Sequence, residues 1–285
     1  MTEIAPSAAL DADVPAKPGL GERRFGSVNW LGLQTLYMKE VRRFLKVAFQ
    51  TIFAPVISTI LFLVVFMQAF GSVRAPVSGV PYIEFLAPGL IMMAILTNAF
   101  ANSSSSLIIG KVQGSIVDVL MPPLSASELT VAFVGGAATR GLLVGAVTMI
   151  TSALFMAFSS TPMGMSHPWA IVYFGLIAAL MFGMIGVCAG IWAEKFDQLA
   201  AITNFIITPL TFLSGTFYAI GSLSEPFYTF SQFNPVFYLI DGFRYGLTGV
   251  HEAPLLVGVS VTFLLTLLVG WICYALFRSG WKLKS

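Results

Sequence analysis

Charge is scarce in this sequence. Asp, Glu, Lys and Arg make up 10% of its 285 residues, against roughly 25% in an ordinary soluble domain. With 57% hydrophobic residues, a soluble fold of this length would expose large apolar patches. Cysteine is nearly absent too. Cys188 and Cys273 lie in separate apolar runs and read as small core residues, which excludes a disulfide framework. His167 and His251 stand singly with no second ligand at metal-like spacing, so no metal site is expected. No serine sits in a nucleophile elbow, and no catalytic residue is assigned. The phosphate-binding loop G-x-x-x-x-G-K-[ST] is missing: Gly110-Lys111 is followed by Val112 and lacks the upstream glycine. If ATP drives this chain, another chain binds it. A net charge of +2 implies no nucleic-acid partner.

What is present is a series of apolar runs, each near the 20 or so residues that a bilayer crossing needs. They fall at about 47–70, 85–109, 131–158, 169–192, 199–220 and 255–277. The expected fold is therefore an all-α integral membrane protein with six transmembrane helices. Trp169, Trp192, Trp271 and Trp281 sit at or near the predicted ends, where amphipathic rings favour the headgroup region. Twelve lysines and arginines fall on the side of the termini and two, Arg74 and Arg244, on the other. The positive-inside rule then places both termini in the cytoplasm of a cell membrane, the inner membrane in a two-membrane cell. No secretory signal pattern is visible.

Residues 1–27 are rich in Ala, Pro, Asp and Gly without an apolar period, and read as a flexible tail ahead of a membrane domain over 28–285. From Trp30 the pattern changes. Trp30, Leu33, Tyr37, Val41, Phe44 and Ala48 recur at helical spacing, with Lys39, Arg42, Arg43 and Lys46 on another face. This predicts an amphipathic helix along the cytoplasmic headgroups, its cations near anionic lipid. In the loop after the second run, Ile116, Val117, Leu120 and Met121 make one apolar face of a short helix around Asp118. Pro122-Pro123 ends it, and Ser125 with Glu128 has the capping-box spacing that starts the next helix. Such a helix either lies on lipid or docks into a partner.

Ion-coupled carriers place Asp, Glu or His within their spans. Five of the six runs hold no Asp, Glu, Lys, Arg or His, and Arg140 in the third is the exception. At the bilayer centre it would cost about 3 kcal/mol, so it is expected to snorkel toward the cytoplasmic face. An ATP-independent secondary carrier is disfavoured by that inventory; a non-transporting scaffold or sensor remains a second alternative. In the fifth run Asn204, Thr208, Thr211 and Gly215 follow i, i+4, i+7 and i+11 on one face, and Pro209 permits a kink. Those residues, with Asn98, Asn102 and Ser103–Ser106, either line a path or pack helices. Gly141-x-x-x-Gly145 and Gly186-x-x-x-Gly190 read as close-packing sites.

Six segments together resemble one family. They are LYMKEVRRF from Leu36, NAFANSSSS from Asn98, GSIVDVLMPP from Gly114, WAEKFD from Trp192, TPLTFLSGTFY from Thr208 and NPVFYLIDGFRYG from Asn234. In this order and spacing, from about Val28 to the end, the chain resembles permease subunits of the ABC-2 exporter family, especially the multidrug, polysaccharide and nodulation-factor exporters.

The resemblance implies a permease that pairs with a second copy of itself and with two ATPase subunits, which bind ATP and magnesium; this chain would hold no cofactor. The Gln113–Met121 segment resembles the coupling helix that enters a cleft on the ATPase, with Gln113, Ile116, Val117, Asp118, Leu120 and Met121 as contacts. Glu194, Lys195 and Asp197 match a second contact, and Lys39, Arg42 and Arg43 belong to the interface helix that reaches the same partner. The stretch 225–249 resembles outward re-entrant half-helices broken at Asn234-Pro235, where Asp241 and Arg244 pair or line the exit. The fifth and first runs would lie near the dimer axis.

Overall fold

The computed structural model describes residues 28–70, 77, 79–158 and 163–283. Among them the regular elements are all helical, apart from an isolated bridge between Val77 and Val80. In chain order they are α1 (Trp30–Leu45), α2 (Ala48–Phe70), α3 (Tyr82–Val112), α4 (Ile116–Leu120), α5 (Ala126–Phe158), α6 (Pro168–Trp192), α7 (Phe196–Ile202), α8 (Thr208–Phe212), α9 (Phe227–Phe233), α10 (Pro235–Thr248) and α11 (Leu255–Ser279). The counted residues 1–27, Arg74 and Lys284 lie outside the described residues.

Five helices, α2, α3, α5, α6 and α11, are long and apolar enough to cross a membrane. The expected fifth run, 199–220, is not one helix. It is α7, a π-helical stretch at Thr203–Ile207, then α8, of 7, 5 and 5 residues. That is about 25 Å of helix at 1.5 Å per residue, short of the roughly 30 Å hydrocarbon core. Two local causes are visible. Pro209 in the first turn of α8 has no N–H to give the ladder. Past Leu213 the chain turns through Gly215 at φ 75°, a left-handed conformation that glycine adopts freely. Thr211 is buried while Asn204 is exposed, and Gly215 lies beyond the helix. The single face read from i, i+4, i+7 and i+11 therefore does not form, because the π-turn shifts the phase.

At the centre, α3 packs against α6 and α5 and is buried along most of its length, while α2 and α11 present most of theirs outward. Ile91, Ile95, Phe100, Phe174, Phe182 and Phe243 lie in the largest apolar cluster. Close approach rests on both glycine pairs. A Cβ at Gly141 would meet Ala99 Cβ at 2.9 Å, and one at Gly190 would meet Leu107 Cβ at 2.9 Å. Gly186 would clash with the Phe100 carbonyl at 2.5 Å, and Gly145 with Ile95. These are small-residue packing sites, as their spacing suggests.

Helix α1 starts where the Asn29 side chain accepts the Gly32 N–H at 3.0 Å. Its buried line is Leu36, Glu40 and Phe44, one strip round from the expected apolar face. Trp30 is exposed, and Ala48 belongs to α2. The reason is steric: α1 lies on α5 at Gly136, where a Cβ would stand 2.6 Å from Glu40 Cβ.

Candidate functional site

The residues singled out in the sequence fall in four places in the fold, three of them defined structures. The first is the α4 end of the bundle. Gly114 at φ 72° turns the chain out of α3 into α4. Ile116 and Val119 point inward, into a cluster with Leu36, Leu107, Leu129 and Phe277. Val117 and Met121 point outward, 51% and 76% exposed, beside exposed Asp118 and Gln113. The expected apolar face of Ile116, Val117, Leu120 and Met121 thus divides: Ile116 anchors the helix, Leu120 is half-buried, and the outward apolar residues are Val117 and Met121. A helix of 5 residues seated on hydrophobic neighbours buries whichever positions face them, so Ile116 is a packing residue.

The capping box forms as read. Glu128 accepts the Ser125 N–H at 2.6 Å, and Ser125 Oγ accepts the Glu128 N–H at 3.3 Å. Glu128 also accepts the Asn29 N–H, a link between the starts of α1 and α5 that the sequence reading missed. A cavity of about 330 Å³ between α1 and α4 is lined by Leu31, Thr35, Lys39, Asp118, Val119 and Pro123 among others. Lys111 Nζ donates to the carbonyls of Ile191 and Ala193, at 3.1 Å for the latter, and so ties the 193–195 loop and the start of α7 to the α4 end. Glu194, Lys195 and Asp197 are exposed there. Glu194 pairs with Lys282 at 2.7 Å. The hydrogen bond from that ammonium holds the Glu194 carboxyl below its ordinary value.

The second set is a polar cluster between α1, α3 and α5. Arg43 does not stand out with exposed Lys39 and Arg42; it turns inward. It donates to Glu40 at 3.1 Å, Ser105 at 3.1 Å, and Asn102 through its carbonyl at 2.6 Å and side chain at 3.1 Å. Glu40, wholly buried, also accepts from Ser106 at 2.7 Å. Asn102 and Arg43 therefore meet, where the sequence reading had kept them apart. Arg140 Nη2 donates to Asn98 Oδ1 at 3.2 Å, one turn along α3. Glu40 was missed because it lies inside a cationic stretch. Its i, i+3 spacing to Arg43 was the available signal.

The third set lies at the other end. Asn234 separates α9 from α10, caps α10 by accepting the Val236 N–H at 3.0 Å, and donates to the Leu210 carbonyl at 2.9 Å and Ser214 Oγ at 2.8 Å. Pro235 follows at the first helical position, where its missing N–H costs nothing. Arg244 is buried. It donates to the carbonyls of Phe85 at 3.2 Å and Gly215 at 2.7 Å, stacks 3.7 Å over the Phe85 ring, and lies 3.6 Å from Glu252 and 4.0 Å from Asp241. Asp241 in turn accepts the N–H groups of Glu252 and Ala253. Asp241 and Arg244 pair, and Glu252, not singled out in the sequence, completes the group. Burial pushes the Glu252 carboxyl up.

The fourth set, Asn204, Thr208, Thr211 and Gly215, is dispersed by the π-turn as described. Among the described residues no group of His, Cys, Asp and Glu is placed to hold a metal ion. What this arrangement offers is a braced helix end, an internal polar cluster and a buried arginine tie.

Residues 32–248 match the family described as ABC-2 type transporter. The chain belongs to the ABC-2 type transporter family. This ABC-2 permease is 36% identical over 259 residues to the inner membrane transport permease YadH of Escherichia coli K12, covering 90% of this chain and 98% of that protein. It is 25% identical over 254 residues to nodulation protein J of Rhizobium leguminosarum bv. viciae, covering 85% and 93%. A nodulation protein J of Sinorhizobium fredii is 24% identical over 179 residues, 61% of this chain and 65% of that protein. The relatives fall in the subgroup that the sequence segments resemble. Within this ABC-2 permease the family match spans every candidate set up to Arg244 and stops short of Glu252 and Lys282.

Proposed function

We propose that the chain is the membrane-spanning subunit of an ATP-driven exporter, working as two copies with two separate ATPase subunits in the inner membrane, both termini in the cytoplasm. The observation that carries this reading is α4. It is a short helix held by Ile116 and Val119, bounded by Gly114 and Pro122-Pro123, with Val117 and Met121 turned outward. Large exposed apolar side chains on a braced helix suit insertion into a partner groove. The exposed Lys39 and Arg42 of α1, the 193–195 loop and the start of α7 stand at the same end and widen that surface.

The sixth crossing in this reading is the broken unit α7–α8, completed by the turn that follows it and by α9–α10, which re-enter from the outer side. Non-helical backbone at membrane depth is tolerated only where protein or a water-lined path covers it. Asn204 supports the same reading: it is exposed beside Phe205, 82% exposed. An amide left against lipid costs free energy, so that face suits a seam with the second copy or a path between the copies. The outward faces of α2 and α7–α8 would meet there.

The test is co-purification and coupling. A stoichiometric ATPase carrying a phosphate-binding loop should purify with the chain. Met121→Glu and Val117→Glu should leave insertion intact and abolish ATP-driven transport. Transport by the purified chain alone, or normal transport by Met121→Glu, would sink the assignment.

A further inference from the structure

Helices α6 and α11 pack side by side, and their contacts keep one register. Tyr173 Oη donates to the Val259 carbonyl at 3.0 Å. A Cβ on Gly258 would stand 4.0 Å from Phe174 Cζ, and one on Gly270 would stand 3.1 Å from Met184 Sδ. Position 173 thus meets 259, 174 meets 258 and 184 meets 270, an offset of 84 to 86 with both chains running the same way. Cys188 and Cys273, the only cysteines of the chain, are 85 positions apart and fall into that register, although they belong to separate apolar runs. Their thiols interact directly, and Cys188 packs against the cluster that contains Cys273. The buried line of α11 is Gly258, Thr262, Thr266, Cys273 and Phe277. Small residues in such a line let two helix backbones approach. Both thiols are free, Cys273 enclosed and Cys188 half-buried.

We propose that Cys188 and Cys273 are a dithiol that a lipid-soluble hydroperoxide oxidises to a disulfide, clamping α11 to α6. Cys188, the more open of the two, takes the first step. Its sulfur bonds the terminal peroxide oxygen, the O–O bond breaks, and the organic alcohol leaves with the thiol proton, so that Cys188 becomes a sulfenic acid. The Cys273 sulfur then attacks the Cys188 sulfur. The S–S bond forms, and the hydroxyl leaves with the Cys273 proton as water. One peroxide gains two electrons and the two thiols lose them. The place of the bond gives it an effect. α6 ends at Trp192 and α11 at Ser279, and just beyond them Glu194 and Lys282 pair at 2.7 Å, so the clamp stiffens that end of the bundle. It needs neither ATP nor a partner, so this proposal and the exporter reading fail separately.

The test treats the full chain in neutral detergent with cumene hydroperoxide, then unfolds it, alkylates it with N-ethylmaleimide and measures the intact mass. Untreated protein should take two maleimides. Treated protein should take none, weigh about 2 Da less than the unlabelled reduced chain because two hydrogens are gone, and regain both labels after dithiothreitol. Retention of both labels overturns the proposal. So does loss of one label alone, oxygen added to either sulfur that dithiothreitol does not remove, or a bond between two chains in place of one within a chain. The variant Cys273→Ala/Tyr274→Cys moves the second thiol about 100° round α11. It should form the bond about tenfold more slowly at the same peroxide concentration, because a disulfide needs its two β-carbons turned toward each other. Equal rates overturn the pairing, since the bond would then report helix motion and not the register. If that variant does not fold, Cys188→Ala/Val187→Cys shifts the other thiol by the same angle and is read the same way.

Discussion

Two arginines, Arg244, which is buried, and Arg140, which is half-buried, differ in how the fold surrounds them. Arg244 has two backbone carbonyls, two carboxylates and an aromatic face. Arg140 has one amide oxygen and an orphan Nε. The first joins α3, the turn after α8, α10 and the loop before α11, so its charge is neutralised by the structure it ties. The second is attached at one point, and each arginine keeps one buried nitrogen without a hydrogen-bond partner, Arg140 Nε and Arg244 Nη1. A charge tied to several elements braces the fold, whereas one held at a single point braces little.

The largest effect should come from breaking the closed site. Arg244→Met leaves Asp241 and Glu252 buried beside each other without their cation, and should cost about 3–5 kcal/mol. Thermal unfolding in detergent should show loss of the folded protein, whereas Arg140→Gln should unfold within a few degrees of the wild type. Equal losses would erase the distinction between the two arginines. Next, Gly136→Leu should drive α1 off α5, since even a Cβ there meets Glu40 at 2.6 Å. Overpacking of this kind costs about 1–3 kcal/mol. It should also expose the Arg43 end of the cluster, measurable as faster amide exchange in α1.

A third contrast lies within α4. Ile116→Glu buries a carboxylate and should destabilise the α4 end, lowering the unfolding temperature. Met121→Glu alters a 76% exposed side chain and should leave that temperature within a degree or two. If Met121→Glu is as destabilising as Ile116→Glu, the outward face is wrongly placed. The smallest effect concerns Glu194 and Lys282. The Glu194 carboxyl is held below its ordinary value, so its contribution is present above the usual carboxylate range and is lost as pH falls below it. Lys282 also stands 5.8 Å over the Trp192 ring and 5.4 Å over Trp281. Acidification should release it and change tryptophan emission, a change that Glu194→Gln abolishes.

Much of the fold is legible in the residues. The runs that became α2, α3, α5, α6 and α11 needed only length and apolarity, since a bilayer demands both. Ser125 and Glu128 form their box because capping acts within four residues. The pairing at 36% identity with a permease confirms the family that the six segments resemble. The misreadings share one cause. A helical wheel assumes 3.6 residues per turn and a face chosen by apolarity. The π-turn at Thr203–Ile207 broke the first assumption and dispersed Asn204, Thr208, Thr211 and Gly215. Gly136 broke the second by admitting Glu40 instead of an apolar side chain.

The sequence by itself determined that this is a bundle of membrane-length helices, without an ATP-binding loop and with a bounded helix outside the spans. Those properties depend on composition and on neighbours a few residues apart. Only the tertiary structure decided which side of α4 faces out, that Arg43 turns in to meet Asn102, and that Arg244 is enclosed while Arg140 is not. These depend on contacts between residues 29 to 159 positions apart, where close approach of backbones, not local pattern, selects the partner.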